Sequence, residues 1–284
     1  MEKGKLFIIA TPIGNAGDLS PRAAETLQTV DIVACEDTRT SGIFLNTIGI
    51  PAKKLSALHK FNEEEASAGL VQKLLEGQNI AVITDAGTPC ISDPGTALVS
   101  AAVAAGIEVT ACPGPSAVIT ALSVSGFNTI SFAFYGFLPK KDGEIVQVFE
   151  RIAGEYARIA VFYESPRRIL NTVSLCEKVL PDSELCLCND LTKKFERIYR
   201  GSPASVIKEL SENPDREKGE YVLLIRLPAS SSQEDCSGPR GALLEAYMDG
   251  IDLYDAVRSP ELNKRFSKND LKKAALEIKE FFNL

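Results

Sequence analysis

Apolar residues recur along the first half of the chain in short runs, NIAVIT (79–84) rich in β-branched residues, separated by longer segments with helical spacing. LFIIA (6–10), DIVAC (31–35), KLSAL (54–58), NIAVIT (79–84) and IEVTAC (107–112) each read as a strand, bounded by Gly, Pro or charged residues. Between them the spacing predicts helices near 21–30, from Thr40, from Glu63, near 95–105, and an apolar helix running to about Ser125. In the third helix Leu70, Val71, Leu74 and Leu75 form the apolar stripe. Asn62 stands at its N-cap position, and Glu63, Glu64 and Glu65 suit the positive end of its dipole. Strands alternating with helices imply an α/β fold around a parallel, doubly wound sheet buried on both faces.

Beyond Gly126 the rhythm changes. SFAFYGFLP, ARIAVFYESP, ELCLCND, FERIYRG and EYVLLIRL read as strands with fewer intervening helices, near 143–153, up to Leu180 and from Ser205. That pattern predicts a second α/β domain with a mixed sheet. The expected division is 1–126 for the first domain, 127–228 for the second, 229–240 for a polar linker without apolar period, and 241–284 for a small helical tail.

A length of 284 residues is long for one core, which agrees with two main domains. Hydrophobic content of 45% and charged content of 24% are those of a soluble globular protein, and no run is long enough to span a bilayer. The N-terminus enters a strand without a cleavable apolar core, so a cytoplasmic location is expected. The seven cysteines sit mostly in apolar runs, and His59 is the only histidine. A zinc site and a Ser-His-Asp triad therefore lack their parts, and no metal is expected. The net charge of −7 argues against a uniformly basic surface for nucleic acid. Within the tail, however, Lys264, Arg265, Lys268, Lys272 and Lys273 make the best nucleic-acid candidate, against the alternative of a solvated amphipathic face.

Candidate chemistry gathers where strands end. ITDAGTPCISDPG (83–95) places Asp85, two Gly and two Pro after the fourth strand, where ligands bind in open α/β sheets. Asp93, before Pro94, reads as a helix N-cap. TPIGNAGDL (11–19) follows the first strand and PGPSAV (113–118) the fifth, so three loops are expected at one crevice. Neither a dinucleotide fingerprint nor a P-loop lysine is present. EDTR (36–39) reads either as a surface ion pair or as substrate-side chemistry. YESPRR (163–168) offers Glu164 after a strand, then Arg167 and Arg168, whose planar donors suit phosphate. His59 reads as a structural hydrogen-bond partner, and Asn189 to Lys194 as either an ordinary turn or added positive charge for RNA.

Taken together and in order, TPIGN, EDTR, ITDAGTP, DPG, PGPSA, FYGFLP, YES-x-R and KGE-x-VL resemble the ribosomal RNA small-subunit methyltransferase I family. That family lies within the tetrapyrrole (corrin/porphyrin) methylase superfamily, and the match covers residues 6 to about 227. SKNDLKKAALEI also resembles the family's helix-turn-helix-like tail. The resemblance implies S-adenosylmethionine-dependent 2′-O-methylation of a cytidine ribose in the decoding region of 16S rRNA of the small ribosomal subunit, free or assembled, by a homodimer. It implies that the cofactor lies folded between the two domains, against Pro12 and Ile13, Asp85, Ala86 and Gly87, Ser116, Ala117 and Val118, and Tyr163 and Leu191. With one imidazole in the chain, a carboxylate or lysine must serve as any base, and Glu36, Asp37 and Glu164 are the candidates. Glu36 or Asp37 is expected to orient the ribose hydroxyl, with Arg39 and Arg167 on RNA phosphates. Two departures bear on substrate contact: Pro166 and Arg167 stand where relatives carry Thr-His, and NAGDLSP replaces a more apolar turn. The rival readings are a methylase of a porphyrin-type or other small acceptor, and a nonenzymatic RNA-binding module.

Overall fold

Strands β1 (Leu6–Ile9), β2 (Ile32–Cys35), β3 (Lys54–Ala57), β4 (Ile80–Val82) and β5 (Val109–Cys112) form a parallel sheet in the order β3-β2-β4-β1-β5. The structure, a computed structural model, describes residues 2–50, 53–154, 157–228 and 238–282. Because successive strand side chains point to opposite faces, each apolar run feeds two cores. Ile32, Ala34, Ile80 and Val82 pack with Leu70 and Leu74 of α3 (Glu63–Leu75) and Leu98 and Ala102 of α4 (Thr96–Ala104). Val33, Cys35, Ala81 and Ile83 pack on the other face with Ala23 and Leu27 of α1 (Pro21–Thr29) and Leu45 of α2 (Thr38–Thr47). The doubly wound architecture expected from the sequence is therefore present, and α5 (Ala117–Ser125) follows β5.

Capping chemistry moves several helix ends. α2 starts at Thr38 rather than Thr40, because the Asp37 carboxylate accepts from the backbone N–H of Arg39 and Thr40. Asn62 makes no side-chain cap. Its Oδ1 accepts from the His59 N–H at 2.8 Å and its Nδ2 donates to the Ala57 carbonyl at 3.1 Å, so it closes the β3–α3 turn instead.

Strands β6 (Phe132–Phe137), β7 (Ile159–Glu164), β8 (Glu184–Asn189), β9 (Arg197–Gly201) and β10 (Tyr221–Arg226) form a mixed sheet in the order β6-β7-β10-β8-β9, parallel only between β6 and β7. Phe162, Leu187 and Leu223 bury one face against Phe149 of α6 (Asp142–Ile152), Val173 of α7 (Ile169–Val179) and Leu210 of α8 (Pro203–Glu212). α8 begins two residues before Ser205, since Ser202 caps it and Pro203 takes its first position.

The chain divides into two compact units, Met1–Thr120 with Asp190–Glu196, and Ala121–Asn189 with Arg197–Leu284. The short Asp190–Glu196 segment thus packs with the first unit although its flanking strands belong to the second. The expected linker lies largely outside the described residues, which omit 229–237. The tail forms four helices, α9 (Pro239–Met248), α10 (Leu253–Arg258), α11 (Pro260–Arg265) and α12 (Lys268–Phe282), around Leu243, Leu253, Ala256, Leu271 and Ile278. Within the second unit it is tied to the strand end at Arg158, whose Nη2 lies 2.7 Å from Glu245 Oε1, with the Arg158 side chain only 13% exposed. Asn128 Nδ2 also donates to the Met248 carbonyl at 2.8 Å. Among the described residues no helix is long and apolar enough to cross a membrane.

Candidate active site

In the first unit the connection leaving β1 enters α1 on one face, while the connection leaving the neighbouring β4 enters α4 on the other. Adjacent strands whose connections diverge open a crevice at their carboxyl ends. Backbone bonds join the two loops there: Thr11 N–H donates to the Gly87 carbonyl at 2.8 Å and Gly87 N–H to the Thr11 carbonyl at 3.1 Å. The Thr11 hydroxyl donates to the Thr84 carbonyl at 2.9 Å, which satisfies a buried polar group and fixes the pair. Gly87 has φ 91°, a conformation that side chains rarely adopt.

The third loop joins through Thr88, whose hydroxyl donates to the Pro115 carbonyl at 3.0 Å. Gly114 lies so close to Ala10 that an added Cβ would stand 3.1 Å from the Ala10 Cβ. Val118 is buried, and Ser116 and Ala117 are half-buried at the start of α5. Leu191 is buried on the Asp190–Glu196 segment. An added Cβ at Gly14 would meet Lys193 Cγ at 2.4 Å, Thr192 Oγ1 at 2.9 Å and the Leu191 carbonyl at 3.1 Å, so only glycine lets this segment close on the first loop. The Thr192 hydroxyl is buried with no partner among the described residues. Every cofactor-side residue named above except Tyr163 therefore lies in the first unit: Pro12 and Ile13, Asp85 to Gly87, Ser116 to Val118, and Leu191. In the second unit the Tyr163 ring packs edge-on to Phe134 and Phe137, with centroids 4.9 and 5.4 Å away.

Four carboxylates accompany the ends of β2 and β4, and they differ in role. Asp37 Oδ1 accepts from the backbone N–H of Arg39 at 2.8 Å and of Thr40 at 3.4 Å, and these bonds, the Arg39 N–H foremost, hold its carboxyl below the ordinary range. It is the cap of α2. Glu36 is exposed beside it. Asp85, exposed at the end of β4, is raised, by partial desolvation first and then by the charges of Glu36 and Asp37. Asp93 is pushed up to about 6, by burial first, with the Thr84 hydroxyl opposing and the charges of Glu36 and Asp85 adding. The Arg39 side chain is 90% exposed and 3.6 Å from the Asp37 carboxylate, an ion pair that contributes little.

Two readings of the sequence are corrected by this geometry. Asp93 does not cap α4: Gly95, at φ 125°, holds that position. The Glu63 carboxylate instead accepts from the N–H of Gly95 at 2.8 Å and of Ala97 at 3.0 Å. Cys90 (φ 69°) and Ser92 (φ 67°) turn the loop so that Asp93 faces inward, half-buried. Glu164 is not an accessible base. Its residue is 2% exposed, one oxygen accepts from the Ser165 N–H and pairs with Arg168, and the other accepts from the Thr172 hydroxyl at 2.8 Å. Arg168 also donates to the Leu138 and Pro139 carbonyls, so it anchors the β6–α6 turn and Arg167 alone is exposed. The His59 backbone N–H bonds Asn62, while its ring Nδ1 is buried without a partner among the described residues. Among those residues no cluster of three or more His, Cys, Asp or Glu could hold a metal.

Comparison with known proteins bears on this arrangement. Residues 5–206 match the family model described as Tetrapyrrole (Corrin/Porphyrin) Methylases. The chain is 43% identical over 256 residues to ribosomal RNA small subunit methyltransferase I of Haemophilus influenzae, covering 89% of this chain and 90% of that protein. It is 40% identical over 276 residues to the protein of the same name from Escherichia coli O157:H7, covering 97% and 96%. Among solved structures, diphthine synthase aligns at TM-score 0.62 and 13% identity over 92% of this chain and 99% of that one. Uroporphyrin-III-C-methyltransferase from Thermus thermophilus aligns at 0.54 and 18% over 79% and 94%. Identities this low speak to the fold alone.

Proposed function

This chain belongs to the tetrapyrrole (corrin/porphyrin) methylase family, and from that membership we propose that it is an S-adenosylmethionine-dependent methyltransferase of small-subunit ribosomal RNA. Its reaction is 2′-O-methylation of a cytidine ribose in the decoding region of 16S rRNA. The observation that carries the reading is the Thr11–Gly87 bridge, which fastens two glycine-containing loops at the point where the sheet connections diverge.

The residues fit the methyl donor. S-adenosylmethionine supplies, when bound, a methyl group on a positively charged sulfur. Asp85 and the surrounding carboxylates favour a ligand of that charge, and Gly14 and Gly87 leave backbone groups approachable. The Thr192 hydroxyl is a buried donor still to be satisfied. In this reading Pro12, Ile13, Ala86, Ser116, Ala117, Val118 and Leu191 complete the first unit's contacts. Asp85→Asn is expected to weaken S-adenosylmethionine binding about tenfold by calorimetry, the scale of one charge-assisted hydrogen bond.

Methyl transfer from sulfur to a ribose oxygen is an in-line displacement, so alignment of the two reactants supplies much of the rate. Of the candidate bases, Glu36 is exposed and not committed to a cap, whereas Asp37 caps α2 and Glu164 is buried. Glu36 accepts the hydrogen bond of the 2′-hydroxyl, orients its lone pair and takes its proton as the bond to carbon forms. Arg39 and Arg167, both exposed, meet RNA phosphates. The acceptor is 16S rRNA of the small subunit, the enzyme is a homodimer, and its location is the cytoplasm. Light scattering of the purified protein tests the dimer. A tritiated methyl-transfer assay offering 30S subunits, free 16S rRNA and uroporphyrinogen in parallel tests the acceptor, and incorporation only into uroporphyrinogen would overturn it.

A further inference from the structure

We propose that the groove between α10 and α12 is a binding site for unpaired RNA, holding a single-stranded segment of the substrate. The proposal rests on the ribosomal RNA reading above and adds the place and the form of RNA that this tail engages. Lys268, Lys272, Leu276 and Lys279 fall at intervals of four, four and three residues along α12, which puts them on one stripe of the helix. The same stripe spans about 16 Å of helix length. Tyr254 and Arg258, four apart on α10, stand across from it and complete a groove of about 440 Å³.

The chemistry of the groove selects its occupant. Four cations, Arg258, Lys268, Lys272 and Lys279, line it with no carboxylate, in a chain whose net charge is −7. Among the described residues none of the four is paired with a carboxylate within 4.0 Å. Its walls are also apolar: Leu276 is 62% exposed and Tyr254 57% exposed, on a module that has already buried its core at Leu253, Leu271 and Ile278. Arg258 lies over the Tyr254 ring, 3.5 Å from the centroid, so the ring is braced on one face. A duplex offers phosphates to the lysines but keeps its bases stacked inside. An unpaired strand offers both phosphates for the lysines and base faces for Tyr254 and Leu276. Charge complementarity and the aromatic wall together therefore favour single-stranded RNA over duplex and over an acidic protein segment.

The full-length protein and a short, fluorescently labelled, unpaired oligoribonucleotide test this by anisotropy across a salt series. Lys268→Gln, Lys272→Gln and Lys279→Gln combined should lower the slope of log affinity against log salt by about 2, since each phosphate neutralised on a single strand contributes roughly 0.7. Tyr254→Ala should weaken binding about tenfold while Tyr254→Phe retains it, the signature of stacking. In methyl transfer to 30S subunits the same variants should raise KM and leave kcat and S-adenosylmethionine affinity unchanged. An unchanged salt slope with wild-type affinity for Tyr254→Ala would overturn the proposal. So would equal competition by a blunt duplex, or stronger competition by an acidic peptide. If wild type bound the oligonucleotide as described yet methylated no subunit, the ribosomal reading would fall and the groove's preference for unpaired RNA would stand.

Discussion

Glu36 and Asp37 are adjacent in sequence and serve different ends. Asp37 spends its carboxylate on two backbone N–H groups of α2, while Glu36 remains exposed at the end of β2. Glu36→Gln should therefore lower kcat about a hundredfold, the scale of abolished proton transfer, with an unchanged melting temperature. Asp37→Ala should instead cost about 1 kcal/mol in denaturant unfolding, as removal of an N-cap does. EDTR was legible as a cluster of charge, but the split was not, because it depends on where α2 starts. Asp93 carries a pH signature. Its carboxyl is near 3.8 when unfolded and about 6 when folded, so its contribution to stability is full below the lower value and lost as pH rises through the upper. Asp93→Asn cannot ionise, so it should melt above wild type at about pH 8 and converge with it near about pH 4.

At the scale of elements, apolar runs and their helical intervals located the strands of both sheets, most sharply β2 and β4, which are buried at every position and apolar at every position. The cap of α4 was hidden for a different reason. Its acceptor, Glu63, sits in the first turn of α3, and a carboxylate there reads equally well as serving its own helix. Glu63→Ala should thus destabilise the first unit by about 1 kcal/mol or somewhat more, seen as faster amide exchange in α4 rather than α3. Glu164 was misread through the same blindness to partners. A carboxylate after a strand looks like a base until Arg168, Thr172 and the Ser165 N–H are found around it. Glu164→Gln leaves Arg168 without its counter-charge and should cost about 3 kcal/mol, measured by chemical unfolding.

For the whole molecule, pattern alone separated a parallel sheet from a mixed one and a helical tail from both. What it did not reveal is that Asp190–Glu196 leaves the second sheet to pack with the first unit, where Gly14 makes room for Lys193 and Thr192. No periodicity marks a short excursion of this kind; only the family likeness pointed to Leu191. The central claim is that the loops at the ends of β1, β4 and β5 serve methyl transfer to small-subunit ribosomal RNA. The most direct test is tritiated methyl transfer from S-adenosylmethionine to 30S subunits, with the position of label mapped on 16S rRNA. The expected outcome is one methyl group on the 2′-oxygen of a decoding-region cytidine, its transfer slowed about tenfold in Asp85→Asn at low cofactor concentration and restored by raising it. Label on a base, on uroporphyrinogen alone, or on no acceptor would contradict it.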